Sequence, residues 1–362
     1  MVLVTLALAA CSDGSGLPEG MRVASSTPTS VGTPLATPSP TATPPPPPST
    51  LTVAFTGDVM LDRDVEYAMQ TVDPGYPFEA AQPLFEGVDL VVMNLEGTFT
   101  DVGVPLDKMY QFATAPELAI GLLDVPAWGV SLSNNHATDY GLIGLERTLD
   151  TLDQHGIARF GAGRSEAEAR GAVVTSVDGG PSIGFLGYSD IGETIFAAGP
   201  SGGVSRASVE AITHDVRALR AAEGGQPELD FVVVTLHMGT EYTHQVTARQ
   251  QELARAAIDA GADLVVGHHP HVLQPVEAYR APNGREGLIL YSLGNFVFDL
   301  DAEDLAVIGE GPFQSVVAAV TFEAGHPPVL DLRPARIDVA ENRPRPATPE
   351  EAEAILGLLL PE

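Results

Sequence analysis

Short apolar runs that alternate with helical patterns are the feature that most constrains the fold of this chain. From Leu51 onward, segments such as LTVAFTGD, VDLVVMNLEG and DFVVVTLHMG each read as an apolar strand that ends in a polar loop. Between such runs, GLIGLERTLDTLDQHG places leucines at helical spacing and ends at a glycine. This alternation predicts an α/β protein with mixed sheets.

Helix boundaries can be predicted in two further places. RQQELARAAIDAG is typical of a helix that leads into the next strand, and TPEEAEAILGLL of a closing helix. In the second, Thr348 is the predicted N-cap, Pro349 occupies the first helical position, and Glu351 completes a capping box. The simplest partition is therefore one large domain over residues 51–362.

The segment that precedes this domain has a different composition. Residues 12–50 are dominated by Pro, Thr and Ser, which cannot build a core, so we predict a disordered linker. Before it, an apolar run ends in Leu8-Ala9-Ala10-Cys11 and resembles a bacterial lipoprotein signal with its lipobox over residues 1–11, although a basic n-region is missing. The resemblance implies lipidation of Cys11 and an extracytoplasmic domain anchored to the cell membrane. The alternative is an apolar N-terminus with an unrelated cysteine.

The charge of the chain excludes one class of partner. With 48 acidic and 18 basic residues, the formal net charge is −30, and Lys108 is the single lysine. Such a surface repels nucleic acid, so we expect no nucleic-acid partner. It also argues against binding a long polyanion, unless metal ions or a local arginine patch reverse the sign.

Polar clusters follow almost every predicted core strand. They contain Asp58, Asn94 with Glu96, Asn135 with His136, His237 with Glu241, His268 to His271, and Asn295. The carboxyl ends of parallel strands gather at one edge of a sheet, so these side chains should converge on one cleft. Imidazole, carboxylate and amide oxygen together suit Zn, Mn or Fe. Paired metals of this kind polarise a phosphoryl or carbonyl oxygen and generate a hydroxide nucleophile.

Six motifs in order carry a family resemblance. TGDVML, NLEG, SNNHATDYG, LHMGTEY, GHHPHVLQPVE and YSLGNF resemble the CapA (poly-γ-glutamate capsule synthesis) family, related to the calcineurin-like metallophosphatases. The resemblance covers roughly residues 52–300. It implies a four-layer α/β/β/α sandwich of the metallo-dependent phosphatase type and a role in capsule or poly-γ-glutamate synthesis or export at the cell envelope.

The resemblance also implies site roles. Glu96 matches a carboxylate that bridges two metals, and His136 matches a histidine that protonates the leaving group. The implied metal ligands are Asp58, Glu96, Asn135, His237, His269 and His271. His268 has no implied role. Each match has an ordinary alternative, such as a turn residue or a buried core histidine.

Five further residues are candidates from position alone. Asp139 lies three residues after His136 and either orients that imidazole in catalysis or caps the following helix. Candidate substrate-binding residues are Asn94, Glu241, Asn295 and Arg63. For Glu241 the alternatives are a residue that supports a metal ligand and an ordinary loop position, for Asn295 a turn, and for Arg63 an ordinary surface arginine.

The sequence departs from the metallophosphatase pattern at Met60, where a histidine ligand is expected. A thioether does not replace an imidazole for a hard or borderline divalent ion. We therefore expect one tight metal site and a second, weaker one, served by Asp58, Glu96 and His271. If both sites proved equal, Asp62 or Asp64 would be the first residues to test as the missing ligand.

The sequence is compatible with three classes of function. The first is a metal-dependent hydrolase of the phosphoesterase type. The second is a non-catalytic surface accessory protein that binds or guides an anionic polymer. The third, a lipoprotein that delivers a solute to a transporter, would need two lobes and a hinge, whereas the motifs converge on one site. The expected partners are the membrane, through the lipid anchor, and membrane proteins of capsule synthesis.

Overall fold

The computed structural model of the protein describes residues 50–176, 180–222 and 228–360. The predicted lipobox with Cys11, and the linker up to residue 49, lie outside these residues. Within the described residues, no helix is both long and apolar enough to cross a membrane.

The strands are numbered here in chain order. They are β1 (Thr50–Val59), β2 (Leu90–Leu95), β3 (Thr98–Phe99), β4 (Ala113–Thr114), β5 (Ala127–Ser131), β6 (Ala158–Phe160), β7 (Ala162–Gly163), β8 (Val173–Ser176), β9 (Ser182–Ser189), β10 (Gly203–Val204), β11 (Phe231–His237), β12 (Leu264–His268), β13 (Leu273–Arg280), β14 (Glu286–Leu293), β15 (Asn295–Val297), β16 (Gln314–Glu323), β17 (Val329–Asp338) and β18 (Arg343–Pro346).

The α-helices are numbered in the same way. They are α1 (Arg63–Thr71), α2 (Tyr76–Glu79), α3 (Gly141–Gln154), α4 (Glu166–Ala169), α5 (Val209–Arg220), α6 (Ala248–Ala260), α7 (Ala302–Ile308) and α8 (Pro349–Leu359). Short 3₁₀ helices cover Gln82–Phe85, Pro116–Asp124 and Gly311–Phe313.

Two large sheets form the centre of the molecule. The first has eight strands in the order β18-β17-β16-β1-β2-β5-β6, with β15 beside β1, and the second has six in the order β13-β14-β12-β11-β9-β8. In the first sheet β1, β2, β5 and β6 run parallel, and in the second β9, β11, β12 and β14 do so. Antiparallel strands flank the parallel strands in both sheets. The predicted mixed sheets are therefore confirmed.

The alternation of side chains along each strand builds three apolar layers. In β1, Val53 and Phe55 point between the two sheets, where they share a core with Val233 of β11, while Ala54 points to the outer core. The core outside the first sheet is completed by residues of α1 and α3, and that outside the second sheet by residues of α5 and α6. The order helix, sheet, sheet, helix confirms the predicted four-layer α/β/β/α sandwich.

The helices predicted from sequence form where expected. The capping box of α8 is present, with Thr348 as N-cap and Glu351 as its partner, and α8 packs Ile355 and Leu359 against the core between the sheets. The leucine-rich pattern forms α3, and RQQELARAAIDA lies within α6, whose C-cap is Gly261. Because the parallel strands of both sheets end on the same side of the molecule, their carboxyl ends bring the polar motifs together.

Candidate metal centre

A buried carboxylate without a hydrogen-bond partner lies at the centre of the site. Glu96 follows β2, and its backbone N–H donates to the carbonyl of Val59, which fixes it beside β1. Its side chain is fully buried, yet neither carboxylate oxygen has a hydrogen-bond partner among the described residues. Burial, together with the charge of Asp58, raises the pKa of Glu96 well above its ordinary value. Such a carboxylate requires a cation or a proton.

One group of ligand atoms surrounds Glu96 from the second sheet. Single ligand atoms of Glu96, His237 and His269 lie within 4.8 Å of one another. His237 ends β11, and its Nε2 is 2.7 Å from Oδ1 of Asn135 and 3.7 Å from Oε1 of Glu96. The Nδ1 atoms of both histidines are buried and have no hydrogen-bond partner among the described residues. Three kinds of donor, imidazole, carboxylate and amide oxygen, thus meet at one point.

A second group shares Glu96 and extends to the other side. Ligand atoms of Asp58, Glu96 and His271 also lie within 4.8 Å of one another. His271 Nδ1 is 3.3 Å from Oδ2 of Asp58, and its Nε2 is 3.9 Å from Oε1 of Glu96. Burial lowers the pKa of His271, but the charges of Glu96 and Asp58 outweigh it and raise the pKa to about 10. The two carboxyl groups thus favour the charged form of His271.

The other two imidazoles of the cluster are neutral. Burial, with the neighbouring His271, lowers the pKa of His269 to about 3, and burial with His269 lowers that of His237 well below its ordinary value. Neutral imidazole is the form that binds a metal. Neutral imidazoles on one side of Glu96, and the carboxylate of Asp58 with His271 on the other, fit a pair of divalent ions that share Glu96. The predicted ligands are thus brought together, and their coordination of metal stays a prediction.

Three buried polar side chains hold the ligands from behind. Asn94 donates to Oδ1 of Asp58 at 2.8 Å, and Asn295 Oδ1 lies 2.8 Å from Nδ1 of His271. His268 Nε2 lies 3.1 Å from the carbonyl oxygen of Thr56 on β1 and so links the two sheets. The structure therefore places Asn94 and Asn295, predicted as substrate-binding, where their amides orient metal-ligand candidates.

His136 lies at the edge of the cluster and is held by a carboxylate. Its Nδ1 is 2.8 Å from Oδ2 of Asp139, and its Nε2 is 3.9 Å from Oε1 of Glu96. Asp139 makes no side-chain cap on α3, whose N-cap is Tyr140. Of the two interpretations of Asp139, the geometry favours orientation of the imidazole, with Nε2 turned toward the site.

Sequence reasoning missed Lys108. Its ammonium group is 2.5 Å from Oδ1 of Asp139 and donates to the carbonyl of Asn135 at 2.8 Å. The side chain is only 6% exposed. An ammonium, a carboxylate and an imidazole therefore form one chain of contacts, Lys108–Asp139–His136. The available signal in the sequence was that Lys108 is the single lysine of the chain.

Met60 and its acidic neighbours lie apart from the ligand groups. Met60 is fully buried, and its sulfur accepts the backbone N–H of Asp62 at 3.1 Å. Asp62 is the N-cap of α1, and its carboxylate accepts the backbone N–H of Arg63. The same carboxylate also accepts the backbone N–H of Ala113. Asp64 is exposed on the first turn of α1. Neither aspartate therefore belongs to a ligand group.

Arg63 lies at the rim of the site. Its guanidinium is 4.9 Å from the ring centroid of Phe112 and 5.4 Å from that of Tyr110. Phe112 in turn packs against the imidazole of His136, with 4.3 Å between the ring centroids. Arg63 also has φ 60, a left-handed conformation that non-glycine residues rarely adopt. No carboxylate pairs with it among the described residues, so this cation is held by aromatic rings close to His136.

Several known proteins are similar to this chain in sequence. The model of the family described as "Bacterial capsule synthesis protein PGA_cap" matches residues 52–300. The chain is 36% identical over 252 residues to the PGA biosynthesis protein CapA of Bacillus subtilis (strain 168), a match that covers 69% of this chain and 63% of that protein. It is 33% identical over 259 residues to the capsule biosynthesis protein CapA of Bacillus anthracis, covering 69% of this chain and 60% of that protein.

A more distant relative has a different description. A probable polyglutamine synthesis accessory protein of Mycobacterium tuberculosis (strain H37Rv) is 26% identical over 294 residues, covering 70% of this chain and 76% of that protein. The match to the two Bacillus relatives spans less than two thirds of their length.

Proposed function

Because this chain belongs to the PGA_cap family of bacterial capsule synthesis proteins, we propose that it acts in the synthesis or export of a capsule polymer of the poly-γ-glutamate type. Within that role we propose that it is a metal-dependent hydrolase of the phosphoesterase type at the cell envelope. The names of the two Bacillus relatives support the first part. The second part depends on the chemistry of the site.

The observation that carries the hydrolase proposal is the position of Glu96. It lies buried between two groups of donors, and neither of its oxygens forms a hydrogen bond within the part of the chain that the structure describes. Asp58 and His271 would hold an ion on one side, and His237, His269 and Asn135 an ion on the other. When bound, such ions polarise a phosphoryl oxygen and lower the pKa of bound water. The mixed nitrogen and oxygen donors favour Mn, Zn or Fe.

The remaining residues can move a proton and bind the substrate charge. When its ring is protonated, His136 can donate the Nε2 proton to a leaving-group oxygen, while Asp139 accepts the Nδ1–H. Lys108 fixes the far oxygen of that carboxylate. Arg63 offers a cation at the rim that no carboxylate of the described residues pairs with, and it can contact an anionic substrate despite the net charge of −30.

The proposal is tested by metal content and turnover in the same preparations. Protein purified without chelator should contain up to two equivalents of a transition metal, and an Asp58→Ala, His271→Ala double variant should contain at most one. Addition of Mn or Zn to the chelator-treated protein should restore hydrolysis of generic phosphoesters. Absence of both metal and turnover in the unmodified protein would reject the proposal.

A second candidate function is the non-catalytic accessory protein. It is favoured by Met60, which stands at the sequence position of an expected histidine ligand and whose buried sulfur accepts the backbone N–H of Asp62. One relative is itself described as a probable accessory protein. Under this candidate the protein would bind or guide an anionic polymer. Metal binding without turnover on any phosphoester, together with retention of a polyglutamate, would favour it.

We also propose that the protein is anchored outside the cytoplasm by lipid on Cys11, near membrane proteins of capsule synthesis. The support is the sequence Leu8-Ala9-Ala10-Cys11 followed by a proline-rich segment. Cys11→Ala should move the protein from the membrane fraction to the soluble fraction of expressing cells. Unchanged membrane attachment of this variant would contradict lipid anchoring.

A further inference from the structure

The two loops that border the metal centre contain three residues with strained backbone conformations. His269, His271 and Tyr242 have φ values of 97, 56 and 57, all in the left-handed region. Non-glycine residues adopt this region at a cost of about 1 kcal/mol or more each, and such strain persists where the surroundings enforce it. The N–H of Tyr242 donates to the carbonyl of Pro270 at 2.8 Å, which joins the two loops. The residue immediately before Tyr242 is Glu241, which is thereby fixed beside both histidines.

Glu241 faces two imidazoles with its carboxylate free. One oxygen of Glu241 and one ring nitrogen each of His269 and His271 lie within 4.8 Å of one another. Among the described residues, no hydrogen bond or ion pair engages the Glu241 side chain, and the residue is exposed. One carboxylate oxygen and two imidazoles are the donor set of many zinc and manganese sites.

The second ion position lacks a ligand, and Glu241 shares a ligand group with one of its residues, His271. Asp58, Glu96 and His271 provide three donors there, and no imidazole comes from position 60. Asp62 is engaged as a helix cap, and Asp64 lies outside the ligand groups. Glu241 approaches the same His271 from the exposed side. It is the remaining carboxylate, among the described residues, that shares a ligand group with that histidine.

We propose that Glu241 is a metal ligand, which binds the ion held by His271 from the open side of the site and takes the place of the imidazole absent at Met60. This inference rests on the proposed metal centre and assigns Glu241 to the metal, where the sequence suggested a substrate contact. An exposed ligand of this kind stays accessible to solvent, so it also defines the side from which a substrate enters.

The test is calorimetric titration of chelator-treated full-length protein with Mn²⁺ and, separately, Zn²⁺. The unmodified protein should show two binding events, one tight and one weaker. In Glu241→Gln the weaker event should lose affinity by at least about tenfold, because a charged donor is replaced by a neutral amide. The matched control is Glu353→Gln, which removes the same charge from an exposed position on α8 and should leave both events unchanged.

Each other outcome has a defined meaning. Two unchanged events in Glu241→Gln would overturn the inference and leave the metal centre intact. An unchanged titration with a raised KM for a phosphoester would return Glu241 to the substrate-binding role. Failure of the unmodified protein to bind either ion would instead reject the proposed function itself, and the inference with it.

Discussion

A buried carboxylate lies at each end of the parallel strands, and the two differ in their charged partners. At the amino end of β12, Asp263 is almost fully buried, but it forms ion pairs with Arg220 and Arg285 and accepts the backbone N–H of Val232 at 2.8 Å. At the carboxyl end of β2, Glu96 is fully buried and has no lysine or arginine partner among the described residues. Both carboxylates have raised pKa values because of burial, but at Asp263 the two arginines oppose the shift.

The difference separates a structural carboxylate from a functional one. Permanent cations satisfy Asp263, so nothing further is needed at that end of the sheet. Glu96 faces imidazoles, which are charged or neutral according to their surroundings and which exchange a proton for a metal. The unsatisfied end is also the end at which α/β proteins bind their ligands. Four variants test this difference between the two carboxylates.

The largest effect is expected for Glu96→Gln. Loss of the shared carboxylate should weaken binding of both metals by more than about 100-fold, since even the loss of an outer hydrogen-bond partner costs 10- to 100-fold. The melting temperature of the chelator-treated protein should not fall, because the variant removes a buried charge that lacks a permanent counter-ion. Calorimetric titration and thermal melting in chelator measure the two effects. A large fall of the melting temperature would mean that Glu96 is structural, like Asp263.

The reverse pattern is expected for Asp263→Asn. Removal of one partner of a buried ion pair costs about 3–5 kcal/mol, and the lower end applies because both arginine side chains are partly exposed. Denaturation with urea should therefore give a free energy of unfolding lower by about 3 kcal/mol. Metal affinity should be unchanged if the variant is measured where it is folded. Loss of metal binding by the folded variant would show that the two ends of β12 are coupled.

An intermediate effect is expected at Lys108, which brings a permanent cation to the functional end. Lys108→Met should leave Asp139 without its ammonium partner and loosen the orientation of His136. Turnover of phosphoesters with poor leaving groups should fall by about 10- to 100-fold, while good leaving groups, which need no proton, should react almost unchanged. Metal content should stay constant, and Lys108→Arg should restore part of the loss. An equal fall for all leaving groups would indicate a merely structural role.

Much of this comparison was predictable from sequence, and the reasons are local. The strands and the capped helices follow from apolar periodicity and from residues such as Thr348 and Glu351. The convergence of Asp58, Glu96 and His237 follows from the rule that parallel strands end at one edge. These features depend on residues close in the chain or on a general property of sheets, so one sequence is sufficient.

The supporting contacts were not predictable in the same way. Lys108 reaches Asp139 across a loop with no periodic pattern, and Asn295 turns its amide to His271. In both cases the partner is distant in sequence and the side-chain direction depends on tertiary packing. The engagement of Asp62 as a helix cap, which removes it as a candidate ligand, required the position of Arg63 and α1. Sequence therefore predicts which residues reach the site better than it predicts what each one contacts there.

The smallest effect is expected for the half-buried ion pair between Arg345 and Glu351. Arg345 donates two hydrogen bonds to Glu351, at 2.8 and 2.9 Å. These bonds are the main reason why the pKa of Glu351 is lowered to about 2. A carboxyl whose pKa is lower in the folded state stabilises the protein above its unfolded pKa of about 4.3, and this contribution is lost as the pH falls toward 2.

Glu351→Gln should therefore cost no more than about 0.5–1 kcal/mol at pH 7, because solvent screens the pair, and less as the pH falls below about 4. Glutamine keeps the capping position of α8, so the difference isolates the charge. Urea denaturation at pH 7 and pH 3.5 measures it, and Glu353→Gln, whose position has no ion pair among the described residues, is the control. If Glu351→Gln lowered the free energy of unfolding as much as Asp263→Asn, burial would not explain why some carboxylate contacts stabilise this protein more than others.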